Sequence, residues 1–117
     1  MVVDSSPEER TDLLFKALGD ATRRDILTRS RDSELSVSAL TRLYPISFAA
    51  VQKHVALLAR AGLVTKERRG REQIVRVEGA GLRQARIALD RLERDWRGRV
   101  ERIDRMLDED AANPTSD

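Results

Sequence analysis

The residues whose types and spacing suit chemistry lie in the middle of this 117-residue chain. With Val51 at the centre of a buried helix face and Ser47, Val55 and Leu58 beside it, Ala49, Gln52, Lys53, Ala56 and Arg60 project from the other side at helical spacing. That outward set is small or hydrogen-bonding. The Gln52 carboxamide can bond adenine through two atoms, an alanine methyl or the Phe48 ring can rest on a thymine methyl, and the Lys53 ammonium can reach guanine or phosphate. A second basic group, Arg68, Arg69 and Arg71, surrounds Gly70, with Lys66 and Arg76 flanking it. Such groups neutralise phosphates or enter a minor groove. Each cluster also has a plain reading, since polar helix faces are usually just solvated and charged hairpin tips keep strand edges soluble. Their order in the chain, a helix after a tight turn and then an arginine-bearing hairpin, favours duplex DNA over the plain reading.

Composition narrows the alternatives. Cysteine is absent, which removes disulfides, thiolate metal sites and thiol nucleophiles together. The one histidine, His54, sits on the same helix as Gln52 and is expected to pack or to touch a phosphate. Carboxylates near the end of the chain (Asp90, Glu93, Asp95, Glu101, Asp104) are interleaved with arginines, the pattern of a solvated ion-pair face. With no phosphate-binding glycine loop and no paired nucleophile and base, no catalytic residue, no metal and no cofactor is expected, so an enzyme is the least favoured class. The 22 Lys+Arg against 20 Asp+Glu would not by themselves mark a nucleic-acid binder, but residues 53–76 carry almost only positive charge. No apolar run is long enough to span a bilayer, and the opening MVVDSSPEER lacks the basic-then-apolar order of a secretory signal. A soluble, cytoplasmic protein without a membrane partner is expected.

The elements that must position these residues read as one mainly α domain over 8–109 with a small β-hairpin, in the order ααααββα. Residues 1–7 form a flexible tail, with Ser6 and Pro7 opening a helix near Glu8 that carries Leu14, Phe15 and Leu18. Gly19-Asp20 interrupts it, and Asp20 caps a second helix, 21–31, with Ile26 and Leu27 inward. After a polar loop over 31–34, Ser36 caps a third helix bearing Val37, Leu40 and Leu43, stopped at Tyr44-Pro45. Ser47 then caps a fourth helix, 48–61, closed by Gly62. Runs at 63–68 and 73–77 are rich in β-branched residues and flank the tip at 69–71, so 66–76 reads as a wing. Leu82, Ala85, Leu89, Leu92, Trp96, Val100, Ile103 and Met106 recur at spacings of three and four, which predicts one long amphipathic helix. Residues 110–117 lose that periodicity and are expected to be disordered.

A stripe containing Leu89, Leu92, Trp96, Val100 and Ile103 exceeds what one small domain can cover. A second copy of the chain is the economical partner, and a two-fold axis would place two helices on half-sites one DNA turn apart, in a roughly palindromic operator. Trp96 has two readings, as core of that seam or as lining of a small-molecule pocket within it.

Four segments, FKALGDATRRDIL at 15–27, ISFAAVQKHVALL at 46–58, AGLV at 61–64 and RRGR at 68–71, resemble the ArsR-like winged helix-turn-helix repressors, and the similarity spans roughly residues 14–103. The resemblance implies a homodimer built on the first and last helices, Leu14 included. It also implies DNA contacts from the fourth helix and the wing, among them Ser47, Phe48, Ala49, Gln52, Lys53, His54, Arg60, Lys66, Arg68, Arg69 and Arg71, and repression by occluding a promoter. The chain departs from the common pattern at Gln52, where serine is frequent, and at Ala49, where proline is frequent, so no operator sequence can be carried over. Many relatives sense metals through Cys, or through His with carboxylates, on the third or last helix. Those residues are missing here, and no metal response is expected. Two rivals stand beside this reading: a protein-interaction module that uses the long last helix, and a version of the repressor gated by a small-molecule effector.

Overall fold

The computed structural model of the protein describes residues 6–112. Five helices and a three-stranded sheet follow in the order α1 (Pro7–Leu18), α2 (Ala21–Asp32), β1 (Leu35–Ser36), α3 (Val37–Thr41), α4 (Phe48–Arg60), β2 (Val64–Arg69), β3 (Glu72–Val77) and α5 (Gly79–Ala112). The chain divides into two compact units, Met1–Ala85 and Arg86–Asp117.

Side-chain caps set the helix starts. Ser6 and Glu9 form a reciprocal capping box at α1, Asp20 accepts from the Arg23 amide at α2, and Ser36 and Ser47 accept from Ala39 and Ala50 at α3 and α4. The box brings Pro7 into the first turn of α1, so the expected tail ends one residue earlier. At the other end α5 runs through Asp110–Ala112, past the expected limit at 109. Apolar periodicity governs burial, whereas an exposed helix continues on propensity, and Ala111 and Ala112 are strong helix formers. The remaining tail residues, 1–5 and 113–117, lie outside the described residues.

The core of the first unit is a single cluster in which Ile26, Leu40, Val51, Val55, Leu58, Leu63, Val64 and Val75 are almost fully buried. It joins α2, α3, α4 and the base of the hairpin. Two features differ from the sequence reading. The third helix ends at Thr41, because the chain tightens into three-residue turns (Leu43 N–H to Leu40 O, 2.9 Å) and leaves Leu43 exposed rather than packed. Residues 35–36 add a strand to the expected order. Leu35 and Ser36 pair antiparallel with Val75 and Ile74, giving the sheet order β1-β3-β2. A two-residue strand shows no alternation, and Ser36 reads only as a helix cap, so the pairing leaves no local signature.

The hairpin register is Val64↔Val77, Thr65↔Arg76, Lys66↔Val75, Glu67↔Ile74, Arg68↔Gln73 and Arg69↔Glu72. Its loop is therefore the two residues Gly70-Arg71, with Gly70 at φ +64°, the pattern of a type II′ turn. In the second unit, no described side chain from Arg86 to Ala111 is buried.

Candidate nucleic-acid interface

Helix α4 is held rigidly on three sides. Val51, Val55 and Leu58 anchor it in the core. Its C-terminus closes in a Schellman motif, with the Gly62 N–H donating to Ala59 O (3.0 Å), the Leu63 N–H donating to Leu58 O (2.9 Å), and Gly62 at φ +76°. The turn before it is pinned by Tyr44, whose hydroxyl donates to Asp25 on α2 (2.6 Å). Arg29 also donates to Asp25 (2.7 Å) and lies over the Tyr44 ring, 5.9 Å from its centroid. Burial and the bond to Asp25 push the Tyr44 phenol up to about 12, and the Tyr44 and Arg29 bonds hold the Asp25 carboxyl below the usual range.

On the opposite side of α4, Ala49, Gln52 and Lys53 are exposed and Ala56 is half-buried. They form one wall of a groove of about 400 Å³ whose other wall is Lys66 and Gln73 of the wing. No Asp or Glu occurs between Leu35 and Lys66, so the α4 wall carries no carboxylate.

The wing has two chemically different faces. Directly opposed residues in an antiparallel pair share a face, and successive residues alternate. Lys66, Arg68 and Gln73 therefore stand with Val64 and Val75 on the α4 side, while Glu67, Arg69 and Arg76 stand on the other. There they form a closed ring of alternating charge with Glu34. Glu34 receives Arg69 at 2.8 Å and Arg76 at 2.7 Å, and Glu67 receives Arg76 at 2.6 Å and lies 3.7 Å from Arg69. Hydrogen bonds from Arg69 and Arg76 hold the carboxyls of Glu34 and Glu67, respectively, below the usual glutamate range. Two carboxylates and two guanidiniums cancel, so Arg69 and Arg76 add little net field beyond the ring.

The expected contact residues thus separate. Gln52, Lys53, Ala49 and Lys66 come together at one groove, with Arg68 on the same wing face and Arg71 exposed at the turn. Phe48, 45 % exposed at the first position of α4, and exposed Ser47 stand at the helix entry. Arg69 belongs to the ion-pair ring instead. Arg60 lies two turns beyond Lys53, beside Glu9, Asp12, Leu13 and Lys16 of α1, away from the groove. His54 is half-buried, and Arg23 reaches its Nδ1 at 3.3 Å while bonding the last carbonyls of α1, Ala17 O and Lys16 O, both at 2.8 Å. A guanidinium only donates, so His54 Nδ1 is the acceptor in this contact. Gln73 is the groove residue the sequence reading missed, because its place on that face follows only from the register that sets it opposite Arg68.

The expected association residues also separate. Leu14 is 3 % exposed and belongs to the core of its own unit. Helix α1 packs against α2 and α4, and Leu14 and Ala17 are its buried residues. Leu89, Leu92, Trp96 and Ile103 are each at least half exposed, and with Val100 and Leu107 they fall within an arc about 80° wide at 100° per residue.

No family model matches the chain. The HTH-type transcriptional regulator Rv2034 of Mycobacterium tuberculosis is 36 % identical over 80 residues, covering 68 % of this chain and 75 % of that protein. Among solved structures, an ArsR-like transcriptional regulator from Rhodococcus sp. RHA1 superposes with a TM-score of 0.72 at 34 % identity, covering 83 % of this chain and 92 % of that one. The chain belongs to the ArsR-like winged helix-turn-helix transcriptional regulators. A third relative in fold, from Mycobacterium bovis, is described as a homodimeric winged helix-turn-helix DNA-binding domain (TM-score 0.59, 26 % identity, 81 % of this chain and 91 % of that one). In the terms of this family, α3 and α4 are the helix-turn-helix and β2–β3 the wing. Among the described residues of this ArsR-like chain, no three His, Cys, Asp or Glu side chains gather where a metal ion could sit, and no helix is long and apolar enough to cross a membrane.

Proposed function

We propose that this regulator is a repressor that grips a palindromic operator as a homodimer, in the cytoplasm and without a catalytic step. The observation that supports this best is the carboxylate-free groove between α4 and the wing, where Gln52, Lys53, Lys66 and Gln73 converge over small residues. A helix face built from Ala49, Gln52, Lys53 and Ala56 is slim enough to enter a major groove, with Gln52 as base reader and Lys53 on guanine or phosphate. Lys66, Arg68 and Arg71 make no ion pair among the described residues and follow the adjacent backbone. The exposed arc from Leu89 to Leu107 spans about 27 Å along the helix and supplies the seam between subunits.

Selection of bound sequences from a random duplex pool at moderate salt tests this reading. A two-fold-symmetric site should emerge, and Gln52→Ala should relax its sequence while retaining affinity for generic duplex. Absence of any enrichment, with the purified chain folded, would contradict it.

A further inference from the structure

The hairpin of the wing is unevenly supported. Every residue from Thr65 to Glu72 is exposed, and burial in the hairpin is confined to Val64, Ile74 and Val75 at its base. Toward α4 only Val64 and Val75 pack, in the core cluster with Val55 and Leu58, and beyond them Lys66 and Gln73 face the open groove. The backbone tie to β1 reaches only Ile74 and Val75. The outer hairpin is bound to the rest of the body through Glu34, which stands just before β1 and whose two oxygens engage Arg69 and Arg76 on the face turned away from α4.

We propose that Glu34 is a positioning residue for DNA binding: its ring with Arg69, Glu67 and Arg76 fixes the tilt of the wing, so that Lys66, Arg68 and Gln73 on the other face stay aimed across the groove toward α4. This rests on α4 and the wing being the DNA-binding surface. A single exposed ion pair would be too weak for such a role, but here each carboxylate meets both guanidiniums, and a network of this kind holds a geometry that one pair does not. The role is unusual in its electrostatic sign, because a carboxylate beside a DNA-binding hairpin ought to repel phosphate. The two effects of Glu34, repulsion and alignment, therefore predict opposite results when its charge is removed.

The test uses Glu34→Gln, Arg69→Gln and the double variant in the full chain, each checked for native far-UV circular dichroism. Hydrogen exchange of the wing amides 66–73 is followed in the free protein, and affinity for the enriched duplex is measured at low and moderate salt. If Glu34 aligns the wing, Glu34→Gln speeds wing exchange and weakens DNA binding by about two- to fivefold despite the loss of a negative charge, most clearly at low salt. The double variant is then no worse than the worse single change, since both break the same ring. Unchanged wing exchange, or equal or tighter DNA binding by Glu34→Gln, overturns the proposal. Absence of DNA binding by the unmodified chain overturns instead the reading on which it rests, and the exchange data still decide whether Glu34 orders the wing.

Discussion

Arg68 and Arg69 are neighbours in the chain and stand on opposite faces of the wing: Arg68 opposes Gln73 on the α4 side, and Arg69 binds Glu34 at 2.8 Å on the other. Two residues that look equivalent as a basic pair therefore have different work. Arg68 donates to Gly70 O at 3.4 Å and has no carboxylate partner among the described residues, whereas Arg69 is held in a neutral ring.

Tyr44 reports the clamp between α2 and the turn before α4. It is the only tyrosine in the chain, so its ionisation is read directly by ultraviolet titration. The midpoint should lie near 12, and Asp25→Asn should lower it part of the way toward 10, because the charged acceptor is lost while the burial of the phenol remains. Because the folded value is raised above the unfolded one, the clamp's contribution to stability is fully present below about pH 10 and is lost as pH rises toward about 12. A midpoint at 10 in the unmodified protein would mean that the phenol is neither buried nor bonded to Asp25.

Leu14→Ala and Leu92→Ala should separate folding from association. The first opens the core of the protomer and should cost about 2–5 kcal/mol in denaturant melts. The second touches nothing buried within the chain and should shift sedimentation from dimer toward monomer at micromolar concentration. Trp96 is the single tryptophan, 64 % exposed in the isolated chain, so its emission should move to longer wavelength on dilution through the same equilibrium. Fully monomeric behaviour of the unmodified protein would remove α5 as the seam.

Two glycines of α5 should respond oppositely to alanine. A Cβ on Gly81 would overlap the carbonyl oxygen of Gly62 and come within 2.8 Å of its carbonyl carbon, so Gly81→Ala should destabilise by about 3 kcal/mol or force the first turn of α5 away. A Cβ on Gly98 meets nothing within 4 Å, and Gly98→Ala should add about 0.5–1 kcal/mol through helix propensity. Thermal melts of the two variants check both signs.

Much of the groove between α4 and the wing was legible in the sequence because the determinants of α4 are local. Ser47 and Gly62 bound α4, Val51, Val55 and Leu58 set its phase, and the outward residues follow from 100° per residue. The long stripe of α5 was readable for the same reason. What escaped depends on placement across the chain. Glu34 meets Arg69 from 35 positions away, and no local pattern marks that partnership. The faces of the wing hinge on register: a three-residue tip at 69–71 leaves the parity of Arg68 and Arg69 undefined, whereas the two-residue turn Gly70-Arg71 fixes it. Leu14 shows the limit of apolar periodicity, which identifies a side chain that must be covered without saying whether its own chain or a second one covers it.

Binding of duplex DNA phosphates by the carboxylate-free face of α4 and the wing is to be read from the salt dependence of affinity for the enriched duplex. If phosphates are bound there, log K falls steeply with log salt, Lys53→Ala lowers the slope by about one, and Arg97→Ala, which removes an α5 arginine paired with Glu93, leaves it unchanged. A nearly flat dependence, or a slope that Lys53→Ala leaves intact and Arg97→Ala reduces, would contradict it.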